Sequence, residues 1–304
     1  MLHDIHHIMV PWASGGRPVS DVRRPVLRYH GGKWLLAPWI IGFFPPHRIY
    51  TEVYGGAGSV LMRKKRAALV EVYNDLDSEL ANLFRVLREP ELATRLRGQL
   101  AYTPFAREEF RQSYKVSADP VEQARRTVVR AFMGFGSDSA SGAQTGFRSN
   151  GNRNSVHPAS DWGRLPPSLA AVTERLLGVV IENRPALEVL VQHDSPATLH
   201  YVDPPYCPDT RSVHTRRTGK GYRHEMTDDD HRELAKVLRG LTGMVALSGY
   251  SSNTYTELYP DWSRHERATM ADGALPRTEV LWLNPPCRNA LEESRSQLGL
   301  GAIA

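Results

Sequence analysis

The stretch Ile49-Tyr50-Thr51-Glu52-Val53-Tyr54-Gly55-Gly56-Ala57-Gly58-Ser59 decides the fold class of this chain. Its first six residues are typical of a strand, and the glycines that follow allow a tight turn and a close approach of the backbone to a ligand. A helix is expected from about Val60. Strand, glycine turn and helix together form the first half of an α/β unit. A tight turn without a ligand is the alternative for the glycines.

The same alternation of strands and helices continues along the chain. We expect further strands at 69–73, 178–182, 198–202, 243–248 and 278–283, and helices at 78–88, 105–114, 121–133 and 228–241. This alternation predicts an α/β protein with a doubly wound sheet.

One region interrupts the pattern. Between Asp75 and Gly178 the sequence has helical runs but no convincing strand, and it is too long for a connection within one α/β unit. We therefore expect an inserted, mainly helical subdomain. The predicted organisation is a flexible arm at 1–24, a catalytic domain at 25–88 and 166–290, the inserted subdomain at 89–165 and a tail at 291–304.

The bulk properties narrow the class of protein. The chain has 304 residues, a formal net charge of +5 and only two cysteines. No apolar run is long enough to cross a membrane, and the cysteine content suits a reducing cytosol, so we expect a cytoplasmic protein without a membrane partner. His3, His6 and His7 lack carboxylate partners, and we expect no metal site.

A second informative stretch is Asp203-Pro204-Pro205-Tyr206, which follows the predicted strand at 198–202. Its two prolines force a sharp turn at the end of the strand. Asp203 and the Pro204 carbonyl can each accept one N–H of an exocyclic amine, while Tyr206 lies against the ring that carries it. These three residues are the predicted catalytic group. A solvated turn made of ordinary turn residues is the alternative.

An acidic residue, Asp75, ends the strand after the glycine loop, where this topology binds a ribose diol. Capping of the following helix is its alternative role. The sequence has no Gly-Lys-Ser/Thr phosphate loop, which favours a cofactor without phosphate. S-adenosylmethionine fits, and a nearby acid such as Glu52 would attract its sulfonium. An ion pair with a neighbouring arginine is the alternative for Glu52.

Upstream, Tyr29-His30-Gly31-Gly32-Lys33 again places glycines before a predicted helix. Lys33 could hold the carboxylate of the cofactor, and Tyr29 could pack near its methionine portion. The predicted cofactor-binding residues of the chain up to this point are Tyr29, Lys33, Glu52, Tyr54, Gly55, Gly56, Ala57, Gly58, Ser59, Asp75 and Asp203.

With these blocks in this order, the chain resembles the alpha-class, Dam-like DNA adenine-N6 methyltransferases over about residues 28–285. The order distinguishes this class from other amino-methyltransferases. The resemblance implies a Rossmann-like, mostly parallel sheet with a reversed terminal hairpin, double-stranded DNA as the partner and target recognition by the insert. It also implies that Asn183, after the third strand, contacts the cofactor adenine. A bacterial or phage-encoded, DNA-associated enzyme is expected, either a monomer or a homodimer on a palindromic site.

Basic residues are concentrated in two places. Between Gln123 and Pro167 there are six arginines against two acids, and a second basic stretch spans 211–223. Arginines on the predicted helix suit phosphate contacts or a solvated face, whereas Arg148 and Arg153 on a loop suit base reading. The predicted DNA-binding residues are Arg125, Arg126, Arg130, Arg148, Asn150, Asn152, Arg153, Arg216, Arg217, Lys220 and Tyr222.

The expected reaction is direct methyl transfer to N6 of an adenine that has been flipped out of the duplex. Cys207 as a nucleophile is a weaker alternative, because no activating histidine is evident. Alternative functions are methylation of cytosine N4, methylation of adenine in RNA, a catalytically idle DNA-binding regulator, and a nicotinamide dehydrogenase on the same fold.

Overall fold

Seven strands form one sheet in the part of the chain that the computed structural model describes, which is residues 21–136, 138–149, 157–207, 223–271, 275–297 and 299. The strands are β1 (Ile49–Glu52), β2 (Val70–Asn74), β3 (Val179–Glu182), β4 (Thr198–Val202), β5 (Met244–Tyr250), β6 (Ser263–Ala271) and β7 (Leu275–Leu283). Their order is β3-β2-β1-β4-β5-β7-β6.

The first five strands pair in parallel, and β7 runs antiparallel to both β5 and β6. The predicted α/β fold with a reversed terminal hairpin is therefore confirmed. Strands β1 to β3 extend the sheet in one direction and β4 to β7 in the other. The reversal between β1 and β4 opens a crevice at their carboxyl ends, where open α/β sheets bind ligands.

Helices cover both faces of the sheet. Their bounds are α1 (Ala37–Ile41), α2 (Ser59–Arg63), α3 (Ser78–Arg88), α4 (Pro90–Tyr102), α5 (Arg107–Gln112), α6 (Pro120–Met133), α7 (Pro158–Gly163), α8 (Leu165–Leu176), α9 (Ala186–Gln192), α10 (Asp228–Gly240), α11 (Asn253–Leu258) and α12 (Pro285–Gln297). None of the described helices combines the length and the apolar character that a membrane crossing requires.

The alternation of side chains along each strand divides the core between the two faces. Tyr73 of β2 belongs to the cluster that includes residues of α3, α8 and α12, whereas its neighbour Val72 belongs to the cluster that α9, α10 and α11 form on the opposite face. All five residues of β4 are buried, as expected for a central parallel strand. The crevice is therefore bounded by rigid elements.

The region predicted as an insert contributes α4 to α7, and its described residues contain no strand. Buried side chains of α4 and α6 join the same hydrophobic cluster as α3 and α8. The role of 89–165 as a separate recognition subdomain stays a prediction.

The chain ends differ from the predicted boundaries. Val22 is buried and Arg24 forms an ion pair with Asp161, so the described end of the predicted arm packs on the protein. Helix α12 continues past residue 291, and Leu291 is buried, so the predicted tail begins inside a helix. The predictions for residues 1–20, including His3, His6 and His7, lie outside the described residues.

Candidate active site

A cavity of about 320 Å³ lies at the carboxyl ends of β1, β2 and β4. The three sequence blocks predicted to act together all contribute to its lining, although they are far apart in the chain. The predicted residues that line it are Tyr29, Lys33, Glu52, Tyr54, Gly55, Gly56, Ala57, Ser59, Asp75 and Asp203. The topological reversal of the sheet is what brings these residues together.

The glycine loop between β1 and α2 is shaped by its neighbours. A Cβ atom on Gly55 would lie 2.2 Å from Cε2 of Tyr73, and Gly56 has a positive φ of 50° and faces the ring of Tyr29. Side chains at these two positions would clash or strain the backbone. Gly58 does not line the cavity; it precedes α2 with a φ of 61° and packs against Phe84.

Asp75 organises the loop from the end of β2. Its Oδ2 accepts a hydrogen bond from the Gly56 N–H at 2.8 Å, and its Oδ1 accepts one from the Asp77 N–H at 2.8 Å. Burial raises the pKa of Asp75 to about 6, although these two N–H groups oppose the shift. The helix α3 is capped by Asp77, which accepts from the Glu79 N–H. The alternative that Asp75 caps this helix is therefore wrong.

Glu52 lies in the cavity wall and is 2 % exposed. Its Oε2 accepts from the Tyr50 hydroxyl at 2.8 Å and from the Leu61 N–H, in the first turns of α2, at 2.7 Å. The alternative that Glu52 pairs with a neighbouring arginine is wrong, because its partners are a tyrosine hydroxyl and a backbone N–H. Burial raises the pKa of Glu52 to about 8, despite the two hydrogen bonds. A cation in the cavity would favour its ionised form.

Lys33 and Asp203 form an ion pair across the cavity wall. The Lys33 Nζ lies 2.9 Å from Asp203 Oδ2 and donates a second bond to the Gly31 carbonyl at 2.9 Å. Burial alone would lower the pKa of Lys33, but the charges of Asp203 and Glu279 raise it above its ordinary value. The prediction that Lys33 holds a cofactor carboxylate stays a prediction; in the structure its ammonium lines the cavity and contacts Asp203 and the Gly31 carbonyl.

The second oxygen of the Asp203 carboxylate, Oδ1, is buried and has no hydrogen-bond partner among the described residues. Burial raises the pKa of Asp203 to about 6; Glu279 adds to this rise, and Lys33 and the Tyr206 hydroxyl oppose it. A buried acceptor without a donor is costly unless a ligand satisfies it. Asp203 therefore presents one unsatisfied acceptor at the cavity.

The rest of the turn is held from behind. Tyr206 is buried, its hydroxyl donates to Glu279 Oε1 at 2.7 Å, and its ring meets that of Tyr250 edge to face with centroids 4.4 Å apart. Pro205 lines the cavity, whereas Pro204 and Tyr206 are buried without lining it. Stacking of Tyr206 on a substrate ring and acceptance by the Pro204 carbonyl stay predictions.

Asn183 takes a structural position. Its side-chain amide donates to the carbonyls of Asp75 at 2.7 Å and Leu76 at 3.1 Å, and its Oδ1 accepts from the Ser78 hydroxyl. It does not line the cavity. The expected contact between Asn183 and the cofactor adenine stays a prediction; in the structure the residue shapes the turn that carries Asp75.

Several cavity-lining residues were missed at the level of sequence. Asp230 lines the cavity from the first turn of α10, where it forms a capping box with Thr227. Arg223 also lines it and bonds to Asp77 at 2.8 Å and to Glu79 at 3.1 Å. The capping signal Thr-x-x-Asp before α10 is readable in the sequence, but its proximity to β1 depends on the tertiary fold.

On the DNA side, the three helix arginines bond within the protein. Arg130 is 3 % exposed and bonds to Glu79 and to the Ser113 carbonyl, so its predicted phosphate contact is wrong. Arg125 pairs with Glu109 and Glu122, and Arg126 pairs with Glu122.

These pairs engage Arg125 and Arg126 within the protein, so the alternative of a freely solvated face does not describe them. The cations pair with half-buried carboxylates that α3, α5 and α6 bring together, namely Glu79, Glu109 and Glu122. DNA contacts by Arg125 and Arg126 stay predictions.

A short antiparallel pair of segments follows α6. The Phe135 N–H donates to the Gly146 carbonyl and the Arg148 N–H to the Met133 carbonyl, each at 2.7 Å. Phe135 is 71 % exposed, and Arg148 is half-buried. The remaining predicted DNA-binding residues lie outside the described residues; they are Asn150, Asn152, Arg153, Arg216, Arg217, Lys220 and Tyr222.

Comparison with known proteins agrees with this geometry. A family model described as D12 class N6 adenine-specific DNA methyltransferase matches residues 29–272, which is most of the chain and includes all three sequence blocks. No curated protein matches the chain.

Proposed function

The chain belongs to the D12 class of N6 adenine-specific DNA methyltransferases, and from this premise we propose that it uses S-adenosylmethionine to methylate a flipped-out adenine in double-stranded DNA. The observation that supports this most is the buried, unsatisfied Oδ1 of Asp203 in the same cavity as Asp75. The Asp203 oxygen suits an exocyclic amine, and the Asp75 carboxylate suits the hydroxyls of a ribose. The family methylates adenine in DNA. This disfavours the alternative functions, which were methylation of cytosine N4, methylation of adenine in RNA, a catalytically idle DNA-binding regulator and a nicotinamide dehydrogenase.

The residues of the cavity fit S-adenosylmethionine. The Gly55–Gly56 backbone has no room for side chains and leaves its surface to a ligand. The Asp75 oxygens each accept one N–H, and each keeps a further lone pair for a ribose hydroxyl. Glu52 supplies a carboxyl group that a sulfonium would favour in its charged form. When bound, S-adenosylmethionine supplies a methyl group on a cationic sulfur.

Asp203 prepares the amine of the adenine. Its Oδ1 accepts one N6–H, and the Pro204 carbonyl accepts the other, which localises the lone pair on N6. Lys33 holds the other carboxylate oxygen, so that Oδ1 is the atom presented to the substrate. As N6 forms its bond to the methyl carbon, the methyl–sulfur bond would break and its electron pair would stay on the sulfur. N6 then carries one excess proton, and the ionised Asp203 carboxylate is suited to receive it. Orientation of the two reactants supplies much of the acceleration.

Base flipping follows from the geometry of a duplex, because N6 of a paired adenine cannot reach Asp203. The exposed ring of Phe135, on the described part of the insert, is suited to fill the space that the adenine leaves in the stack. Arg148 lies on the adjacent segment and is suited to a base edge or a phosphate.

Methylation with a trideuteromethyl donor tests the proposal. The protein is incubated with S-[methyl-d3]-adenosylmethionine and duplex DNA that contains many sequences. The DNA is then digested to nucleosides, which are separated and identified by mass spectrometry. We expect labelled N6-methyladenine from the duplex and none from RNA. Labelled N4-methylcytosine, or no labelled base with a duplex that samples all short sites, would contradict it.

A further inference from the structure

Glu279 is a buried acid that the three sequence blocks do not include. It lies on β7, beyond the range of the family match, and it is 2 % exposed. Its Oε1 accepts hydrogen bonds from the hydroxyls of Tyr206 at 2.7 Å and Ser248 at 2.8 Å. Burial of a carboxylate costs free energy unless the group is paired and hydrogen-bonded, so the contacts of Glu279 call for a physical explanation.

The surroundings of Glu279 form one connected network. Lys33 Nζ lies 2.9 Å from Asp203 Oδ2 and 3.9 Å from Glu279 Oε1, so one cation lies between two carboxylates. The same ammonium lies 4.8 Å from the centroid of the Tyr206 ring. Glu279 therefore contacts Tyr206 directly and lies beside the Lys33 ammonium that pairs with Asp203, so a displacement of Glu279 would affect the catalytic turn.

We propose that Glu279 is a positioning residue for methyl transfer. Its carboxylate fixes the Tyr206 ring through the tyrosine hydroxyl, and its negative charge offsets part of the attraction that the Lys33 ammonium exerts on Asp203. The inference rests on the proposed function, in which Asp203 binds the amine. Glu279 does not touch the substrate; it acts through Tyr206 and Lys33. Its place on the antiparallel strand gives the reversed hairpin a part in the site, since β7 pairs Glu279 with Tyr250 of β5.

A purely structural role would be to join β5 and β7 through Ser248. That role does not require a charge, because a glutamine would accept the same hydroxyl bonds. The charge of Glu279 has one further consequence: it raises the pKa of Asp203, whereas Lys33 lowers it. Other groups that act electrostatically on Asp203 lie on neighbouring elements: Tyr206 in the turn itself, Glu52 on β1, Tyr201 on β4, Tyr250 on β5 and Tyr255 on α11.

The test is the pH dependence of the single-turnover rate of methyl transfer in Glu279→Gln. The rate of the wild type should rise with pH as Asp203 ionises, with a midpoint near its pKa of about 6. Removal of the Glu279 charge should move this midpoint to lower pH by about one unit. The dissociation constant for S-adenosylmethionine should stay within about twofold, because Glu279 does not line the cavity.

Tyr206→Phe provides the second arm, since it keeps the ring and removes only the hydroxyl. The Tyr206 hydroxyl lowers the pKa of Asp203, so its loss should move the midpoint upward, opposite to Glu279→Gln. Its rate at high pH should fall about tenfold as the ring loses its anchor. Glu71→Gln is the matched control: Glu71 is equally buried in the same sheet but bonds to Lys64 and Arg175. It should lower the melting temperature and leave the midpoint unchanged.

Overlapping rate–pH profiles for wild type and Glu279→Gln, with equal rates, would overturn the inference. A shift of the same size in Glu71→Gln would overturn it as well. Failure of the underlying function is recognised separately, because the wild type would then form no N6-methyladenine, or Asp203→Ala would form it at the wild-type rate, whatever Glu279 does.

Discussion

Lys33 Nζ lies 2.9 Å from Asp203 Oδ2, and this ion pair joins the first sequence block to the last one. The two side chains are only 6 % and 15 % exposed, and the attraction between such sheltered charges is stronger than between charges at the surface. The pair brings the two blocks into one cavity wall, and it leaves Oδ1 of Asp203 without a hydrogen-bond partner among the described residues.

Replacement of Lys33 by methionine should therefore raise the pKa of Asp203. Lys33 lowers that pKa in the wild type, where burial has already raised it to about 6. Because the proposed mechanism uses the ionised form of Asp203, the midpoint of the rate–pH profile should move to higher pH, and the rate at pH 6 should fall about tenfold or more. Single-turnover methylation across pH 5–9 measures this.

Lys236→Met is the control for the Lys33 prediction. Lys236 is an exposed lysine on α10 that pairs only with Glu233 among the described contacts. Its replacement should leave the profile unchanged. A Lys33→Met enzyme with the profile of the wild type would show that the ion pair does not tune Asp203.

Asp75→Asn should weaken the binding of S-adenosylmethionine by about 10- to 100-fold. The amide cannot accept hydrogen bonds at both of its terminal atoms, whereas both oxygens of Asp75 accept N–H groups in the loop. Isothermal titration measures the affinity. In the wild type the affinity should also fall as the pH drops through about 6, where Asp75 becomes protonated.

The control for Asp75 is Asp261→Asn, at a half-exposed aspartate that pairs with Arg239 far from the cavity. It should bind the cofactor like the wild type. Equal affinities for Asp75→Asn and wild type would remove Asp75 from the ribose site.

Two glycine-to-alanine substitutions should have opposite effects on stability. At Gly55 the new Cβ would lie 2.2 Å from the Tyr73 ring, which stacks on Phe84, so we expect a loss of about 2 kcal/mol in the free energy of unfolding. At Gly98, inside α4, nothing lies within 4 Å of the new Cβ, and we expect a gain of about 1 kcal/mol. Urea unfolding decides this, and equal stability of the two variants is the contrary result.

Phe135→Ala should reduce base flipping while leaving cofactor affinity unchanged. The ring is exposed beside the segment that carries Arg148, and its loss removes the group expected to fill the gap in the stack. The fluorescence of 2-aminopurine at the target position reports the flipped state. Tyr102→Ala, which removes an exposed ring at the end of α4, is the control. Equal fluorescence from the Phe135 variant, its control and wild type would count against this role.

Much of the fold could be predicted because local signals and tertiary structure agree. The bounds of α3 and β4 match the predicted ones, since an aspartate cap and a continuous apolar run mark them locally. Strand β6 was missed because charged residues such as Arg264 and Glu266 occupy it, as an edge strand allows. Helix α8 was hidden by its first-turn prolines.

Cavity-lining residues that belong to local sequence motifs could be predicted. Contacts from elements that are distant in the sequence could not. Glycine loop, Asp75 and Asp203 were found from their positions after strands, and they do line one cavity. The partner of Lys33 could not be predicted, because it depends on how the segment before α1 lies beside the turn after β4. Glu279 did leave a signal, a charge within the apolar run of β7, but only the sheet order shows that it faces Tyr206.

The most direct test of the central claim is methyl transfer by Asp203→Ala in a single turnover, measured together with its affinity for S-adenosylmethionine. We predict that N6-methyladenine falls below detection while the variant still binds the cofactor and duplex DNA, because the amine has lost its acceptor. Methylation at the wild-type rate by this variant would contradict the account.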